Sequence, residues 1–295
     1  MDSSIHITGR KAGIAPGLSV QRVLPSAQRR TVGPFIFFDH FGPAMLTAEK
    51  DSDVGAHPHI GLATVTYLFE GRQVHRDSLG TVQRIEPGAV NWMTAGRGIV
   101  HSERAVEEDQ GHERPAHGLQ LWVALPPHLE TCDPAFQHVA AEDIPSLKLA
   151  DGVAARLLVG QAWGQTSPVV TSSPTLYADF HIKADTSFKL AAIAEERALY
   201  GVESSWLLDG EVIQPNEMVV LEPGRTVQVA SGDAPARVVL VGGAPLERPV
   251  RMWWNYVSTD ITRIADAAKL WAADGFPRIA GEMDRVVGPQ WVDRT

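Results

Sequence analysis

The chain has 295 residues, with 26 Lys+Arg against 35 Asp+Glu and a net charge of −9, so broad electrostatic binding to nucleic acid, which needs a basic footprint, is excluded. A single cysteine, Cys132, excludes an intrachain disulfide framework. Met1–Lys11 lacks the apolar stretch of a signal peptide and no apolar run approaches the roughly 18 residues of a spanning helix, so no membrane association and a cytoplasmic location are expected.

The length suits one large or two medium domains, and 44% hydrophobic residues suffice for sizeable cores. In chain order, short β-rich runs are expected at Ser4–Thr8, Ser19–Val23, Phe35–His40, Leu62–Phe69, Gln73–Asp77, Thr81–Ile85, Val90–Met93, Ile99–Arg104 and Leu119–Leu125. Turns at Glu70-Gly71, Glu86-Pro87-Gly88 and Thr94-Ala95-Gly96 separate several of them. Past Pro126-Pro127 the texture loosens, which predicts an interdomain connection over 126–150. A second β-rich series runs from Ala155 to Val241, with Glu222-Pro223-Gly224 echoing the earlier turn. This points to a domain over 1–125, the connection, and a second domain over 151–295. Apolar positions at Ile261, Ile264, Ala265, Ala268 and Trp271 then predict a helix, capped by Thr259 or Asp260 and ended by Gly275. Trp253 and Trp254, just before it, are expected to pack between domains. Short strands at close spacing predict an all-β chain of sandwich or barrel type.

Two pairs of metal-ligand side chains stand out: His57-Pro58-His59, read as opening the strand from Leu62, and His101-Ser102-Glu103 on the strand Ile99–Arg104. In an extended chain, residues i and i+2 point to one face. Pro58 holds His57 to extended angles and suits a strand start or edge. With the strand unbroken, Gly61, Ala63, Val65, Tyr67 and Phe69 would form an apolar wall on the histidine side. Three imidazoles and a carboxylate suit Fe2+, Mn2+, Ni2+, Cu2+ or Zn2+, and suit Ca2+ or Mg2+ poorly. His40, beside Asp39, is a secondary candidate for supporting a ligand. The other histidines, His75 among them, are read as structural or solvent-facing. Glu107-Glu108-Asp109 is read as a solvated loop, and Gly96-Arg97-Gly98 as a tight turn.

Several of these residues resemble the pirin branch of the cupin superfamily. They are Gly33-Pro34-Phe35 to Gly42-Pro43, His57-Pro58-His59-Ile60-Gly61 and Trp92-Met93-Thr94-Ala95-Gly96-Arg97-Gly98-Ile99, followed by His101 and Glu103. The glutamate that generic cupins place four or five residues after the second histidine is absent, because Ala63 and Thr64 stand there. The resemblance implies two cupin-type barrels, a short C-terminal helix returning toward the first domain, and a monomer. It implies iron in the N-terminal barrel, with His57, His59, His101 and Glu103 as ligands. Known members include flavonol (quercetin) 2,3-dioxygenases and iron-dependent transcription cofactors, and bacterial relatives have been linked to control of central metabolism. The expected function is therefore a metal-dependent dioxygenase acting on a small aromatic or enol-type substrate. Glu103 would take the substrate's hydroxyl proton, and Val65, Tyr67 and Ile99 would hold its rings. The alternative is an iron-dependent redox or metal sensor acting through a protein partner, with Arg104–His117 as the responsive segment. A third reading is a cupin whose metal is incidental to an isomerase or sugar-binding role.

Overall fold

The computed structural model of the protein describes residues 4–15, 18–47 and 53–292. The fold is mostly β, and the one α-helix among the described residues is Ile261–Ala272. Two compact units interleave along the chain. One takes residues 1–11, 21–40 and 139–245; the other takes 12–20, 41–138 and 246–295.

In the first unit a seven-stranded sheet runs in the order Ile5–Thr8, Glu217–Leu221, Glu196–Gly201, Ala236–Gly243, Thr175–Ile182, Val153–Val159, Ser146–Ala150. A four-stranded sheet carries Ser187–Leu190, Val227–Ala230, Trp206–Leu208 and Glu211–Ile213. The interior is filled by Trp206, Phe180, Leu199 and Leu240, all fully buried.

The second unit has a four-stranded sheet in the order Val54–His59, Ile99–Arg104, Gln73–Asp77, Val82–Ile85. Its larger sheet runs Ala135–Val139, Val90–Thr94, Leu62–Glu70, Arg114–Ala124, Phe35–Leu46, Leu18–Leu24, Arg10–Ala15. Leu18–Leu24 and Phe35–Leu46 each begin in one unit and end in the other.

The units thus cross the boundaries expected at 125 and 151. The first strand, Ile5–Thr8, pairs with Glu217–Leu221, and residues 246–292 fall in the same unit as the histidine-bearing strands. The stretch 126–150 is also more ordered than a connection. It holds the strands Ala135–Val139 and Ser146–Ala150, and its Glu130 is buried, accepting hydrogen bonds from Ser258 Oγ and from the backbone N–H of Thr259. Such short strands offer too few residues for a period-2 pattern to stand out.

The helix is capped as its sequence predicts. Asp260 Oδ1 accepts the Thr262 backbone N–H at 2.9 Å, and Ile264, Ala265, Ala268 and Trp271 are buried, with Ile261 left exposed. The left-handed residue that ends it is Asp274, at φ +56, one position before the expected Gly275. The buried face packs with Tyr256, Phe276 and Ile279 against Ala56, Ile60 and Val100. Trp253 and Trp254 join this cluster, on the strands that carry the histidines.

Candidate metal centre

Val54-Gly55-Ala56-His57-Pro58-His59 contains few β-formers, and sequence reading passed over it as a strand of its own. It is the edge strand of the four-stranded sheet, where a missing proline N–H costs nothing. It pairs with Ile99–Arg104 in a register that sets His101 opposite His57 and Ile99 opposite His59. The imidazole rings of His57, His59 and His101 stand 4.3 to 5.0 Å apart, and one nitrogen from each lies within 4.8 Å of the others. Among the described residues, they form the single group of three or more His, Cys, Asp or Glu side chains so gathered.

Gly61 separates this strand from Leu62–Glu70. Its φ is +69, and a Cβ there would collide with the Val257 carbonyl oxygen. The corner moves the chain into the other sheet and changes which side chains face the histidines. Trp122 packs edge-on against His59, with centroids 5.1 Å apart, and Trp122 stands opposite Thr64, which in turn stands opposite Met93. Directly opposed residues share a face. The wall on the histidine side is therefore Thr64, Met93 and Trp122. Val65 and Tyr67 alternate to the other face, where they are wholly buried, so the apolar wall expected from unbroken parity is corrected.

Each ring is held by its other nitrogen. His57 Nδ1 donates to the Gly55 carbonyl at 2.8 Å and His59 Nδ1 to the Asn255 carbonyl at 3.1 Å, which leaves both Nε2 atoms with a lone pair. His101 Nε2 is buried without a hydrogen-bond partner. Burial lowers all three histidines, helped by neighbouring imidazoles: His57 is pushed down to about 4, and His59 and His101 lie well below the usual range. The rings are accordingly neutral at physiological pH, the form that ligates metal.

Glu103 lies beside this group rather than in its centre. Its Oε1 is 3.4 Å from His101 Nδ1, and burial pushes its carboxyl up to about 8, opposed by the charge of Arg104. A register shift falls between His101 and Glu103 in the pairing with Val54–His59.

His40 is not at this site. Its Nδ1 sits 2.8 Å from Tyr200 Oη and 3.0 Å from Asn216 Oδ1 in the other unit. His75, passed over in the sequence, is buried against His101, with the two Nδ1 atoms 3.4 Å apart. Gln73-Val74-His75-Arg76-Asp77 has a single apolar residue, Val74, so only its place in the sheet reveals that His75 and Asp77 are buried. Within Arg104–His117 the acidic run is tied down: Asp109 accepts two hydrogen bonds from Arg72, at 2.6 and 2.8 Å, and Glu108 accepts from Arg84.

Neutral imidazoles gathered within ligand range, one of them with an orphaned buried nitrogen, fit a first-row divalent metal. Fold and site together define a metal-binding cupin with two cupin domains. More specifically, the chain belongs to the pirin family. The pirin family model matches residues 17–123 and that of the pirin C-terminal cupin domain matches residues 177–277. A pirin-like protein of Caulobacter vibrioides is 42% identical over 257 residues, covering 86% of this chain and 88% of that protein. Pirin of Homo sapiens is 33% identical over 273 residues, covering 90% of each. The crystal structure of a quercetin 2,3-dioxygenase from Acinetobacter baumannii is 35% identical, covers 99% of this chain and 97% of that one, and superposes with a TM-score of 0.91. No helix of the described residues is long and apolar enough to cross a membrane.

Proposed function

We propose that this protein is a mononuclear metal-dependent dioxygenase that cleaves flavonols, with His57, His59, His101 and Glu103 as its metal ligands and Fe2+ as its metal. The observation that carries the reading is the buried, unpartnered Nε2 of His101 among three neutral imidazoles. Leaving such an atom unsatisfied costs roughly 1–3 kcal/mol, a cost that a bound metal removes. The name and the close superposition of the Acinetobacter baumannii enzyme support the substrate class.

When bound, the metal supplies Lewis acidity and redox capacity. The residues do the rest. His57, His59 and His101 present neutral nitrogens whose directions are set in advance by hydrogen bonds or packing on the far side of each ring. Glu103 accepts the proton of the flavonol hydroxyl at a carboxylate oxygen. Burial raises its carboxyl to about 8, and a bound cation would pull it back toward the ionised form that accepts a proton. Trp122 and Met93 offer an apolar wall for the aromatic rings, with Thr64 between them.

The test is aerobic incubation with quercetin after loading the purified protein with Fe2+, Mn2+, Ni2+ or Cu2+. Loss of the flavonol's visible absorbance with carbon monoxide release is expected. Absence of turnover with every metal would remove the dioxygenase reading.

A further inference from the structure

We propose that His75, anchored by Asp77, is a positioning residue that sets the tautomer of His101 and keeps Glu103 from serving as the hydrogen-bond acceptor of that ring. The inference rests on the metal reading above. Cross-strand register puts His101 opposite Asp77 and Glu103 opposite His75, so the four side chains meet on two adjacent strands.

Asp77 anchors the arrangement. It is fully buried, and its Oδ1 accepts the backbone N–H groups of Leu79 at 2.9 Å and Thr81 at 3.0 Å. Burial works against the ionised form, but hydrogen bonds from His75 and Thr81 outweigh it and hold the carboxyl below the usual range. An ionised carboxylate only accepts. Its Oδ2 lies 3.0 Å from His75 Nε2, so that nitrogen carries the hydrogen. With Nε2 turned to Asp77, Nδ1 is the nitrogen that His75 presents to its other neighbour. Phe136 stacks on the same ring, with centroids 4.4 Å apart and planes 23° apart, and holds its plane.

His75 Nδ1 faces His101 Nδ1 at 3.4 Å. The contact is satisfied when His101 donates, and His101 Nε2 is then a lone pair pointing at no protein partner. Glu103 Oε1 stands at the same 3.4 Å from that N–H, so two acceptors compete for one proton. Without His75 nothing holds the hydrogen on Nδ1 alone: in part of the molecules Glu103 takes that N–H and becomes a support for the ring instead of a donor to metal or base to substrate, and in the rest the hydrogen moves to Nε2. His75 thus does for His101 what the carbonyls of Gly55 and Asn255 do for His57 and His59.

The experiment uses the full chain labelled with nitrogen-15 and freed of metal, with long-range proton–nitrogen NMR reading the His101 tautomer and chelator competition reading Ni2+ affinity. Wild type is expected to carry hydrogen on His101 Nδ1. His75→Phe keeps a ring on Phe136 but removes both nitrogens. It is expected to lose the single tautomer and to bind Ni2+ about 10–100-fold more weakly. Asp77→Asn, with His75 in place, is expected to move both readouts the same way, and decides the matter should His75→Phe fail to fold. Hydrogen on His101 Nε2 in wild type, or an unchanged tautomer and Ni2+ affinity in the folded variant, overturns the proposal. A wild type that takes up no Ni2+ overturns the metal reading instead, and the tautomer measurement still decides the role of His75.

Discussion

His57 and His101 face each other across two antiparallel strands, their ring centroids 4.3 Å apart and their side chains almost wholly buried. This opposition gathers the proposed ligands from two short segments about forty residues apart in the chain. His101→Ala removes one imidazole and leaves His57 and His59 with no imidazole partner on the facing strand. Metal content measured after equilibration with Fe2+ should fall from near one per chain to a small fraction. Equal stoichiometric metal in both proteins would remove the ligand set.

Glu103→Gln should separate binding from chemistry. The amide can still offer an oxygen, so metal is expected to be retained more weakly. It cannot accept a proton, so quercetin turnover should fall by about 100-fold or more, the usual worth of a positioned base. Steady-state kcat on the metal-loaded variant is the readout, and wild-type turnover would exclude Glu103 as the base.

Gly61→Ala tests the corner between the two sheets. A non-glycine residue in left-handed backbone costs about 1–2 kcal/mol. The collision of its Cβ with the Val257 carbonyl adds to that, because backbone cannot swing aside like a flexible side chain. Urea unfolding should show a loss of at least about 2 kcal/mol, accompanied by weaker metal uptake. A variant as stable as wild type would mean that the corner relaxes freely.

Asp179 offers a pH-dependent check in the other unit. Its carboxylate is fully buried and accepts hydrogen bonds from Arg237 Nε at 3.0 Å and Nη2 at 2.5 Å, with His181 Nε2 3.2 Å away. Burial pushes its pKa up, but these partners prevail and hold it well below the usual range. A depressed carboxylate contributes stability that is present above its unfolded value of about 3.9 and is lost as pH falls toward the folded value. Asp179→Asn should cost about 3–5 kcal/mol at neutral pH, since it leaves Arg237 uncompensated. The variant should also lose less stability than wild type between neutral pH and pH 3. Parallel stability–pH curves for the two proteins would contradict this.

Much of the site was legible because metal ligation demands particular side chains. Two i,i+2 pairs of His and Glu in extended segments are uncommon, and Pro58 announced both the backbone shape and the edge position of its strand. Asp260 announced the helix start in the same local way. His75 was not legible. Its role depends on lying opposite Glu103, and nothing within Gln73–Asp77 encodes which strand lies alongside. The substrate wall was misassigned for a related reason. Strand parity holds only while the chain runs straight, and Gly61 resets it, exchanging Val65 and Tyr67 for Thr64 and Trp122 on the histidine side.

By itself, the amino-acid sequence determined the residue types that bind metal, the turns that divide the β-rich runs and the amphipathic helix near the end. All of these depend on neighbours within a few positions. Tertiary structure alone decided that the helix Ile261–Ala272 and its neighbours Tyr256, Phe276 and Ile279 pack against the histidine strands, that His101 meets His57 on one side and His75 on the other, and that Glu103 stands beside the imidazole group. Those outcomes depend on strand register, in which a shift of one residue turns every side chain to the opposite face.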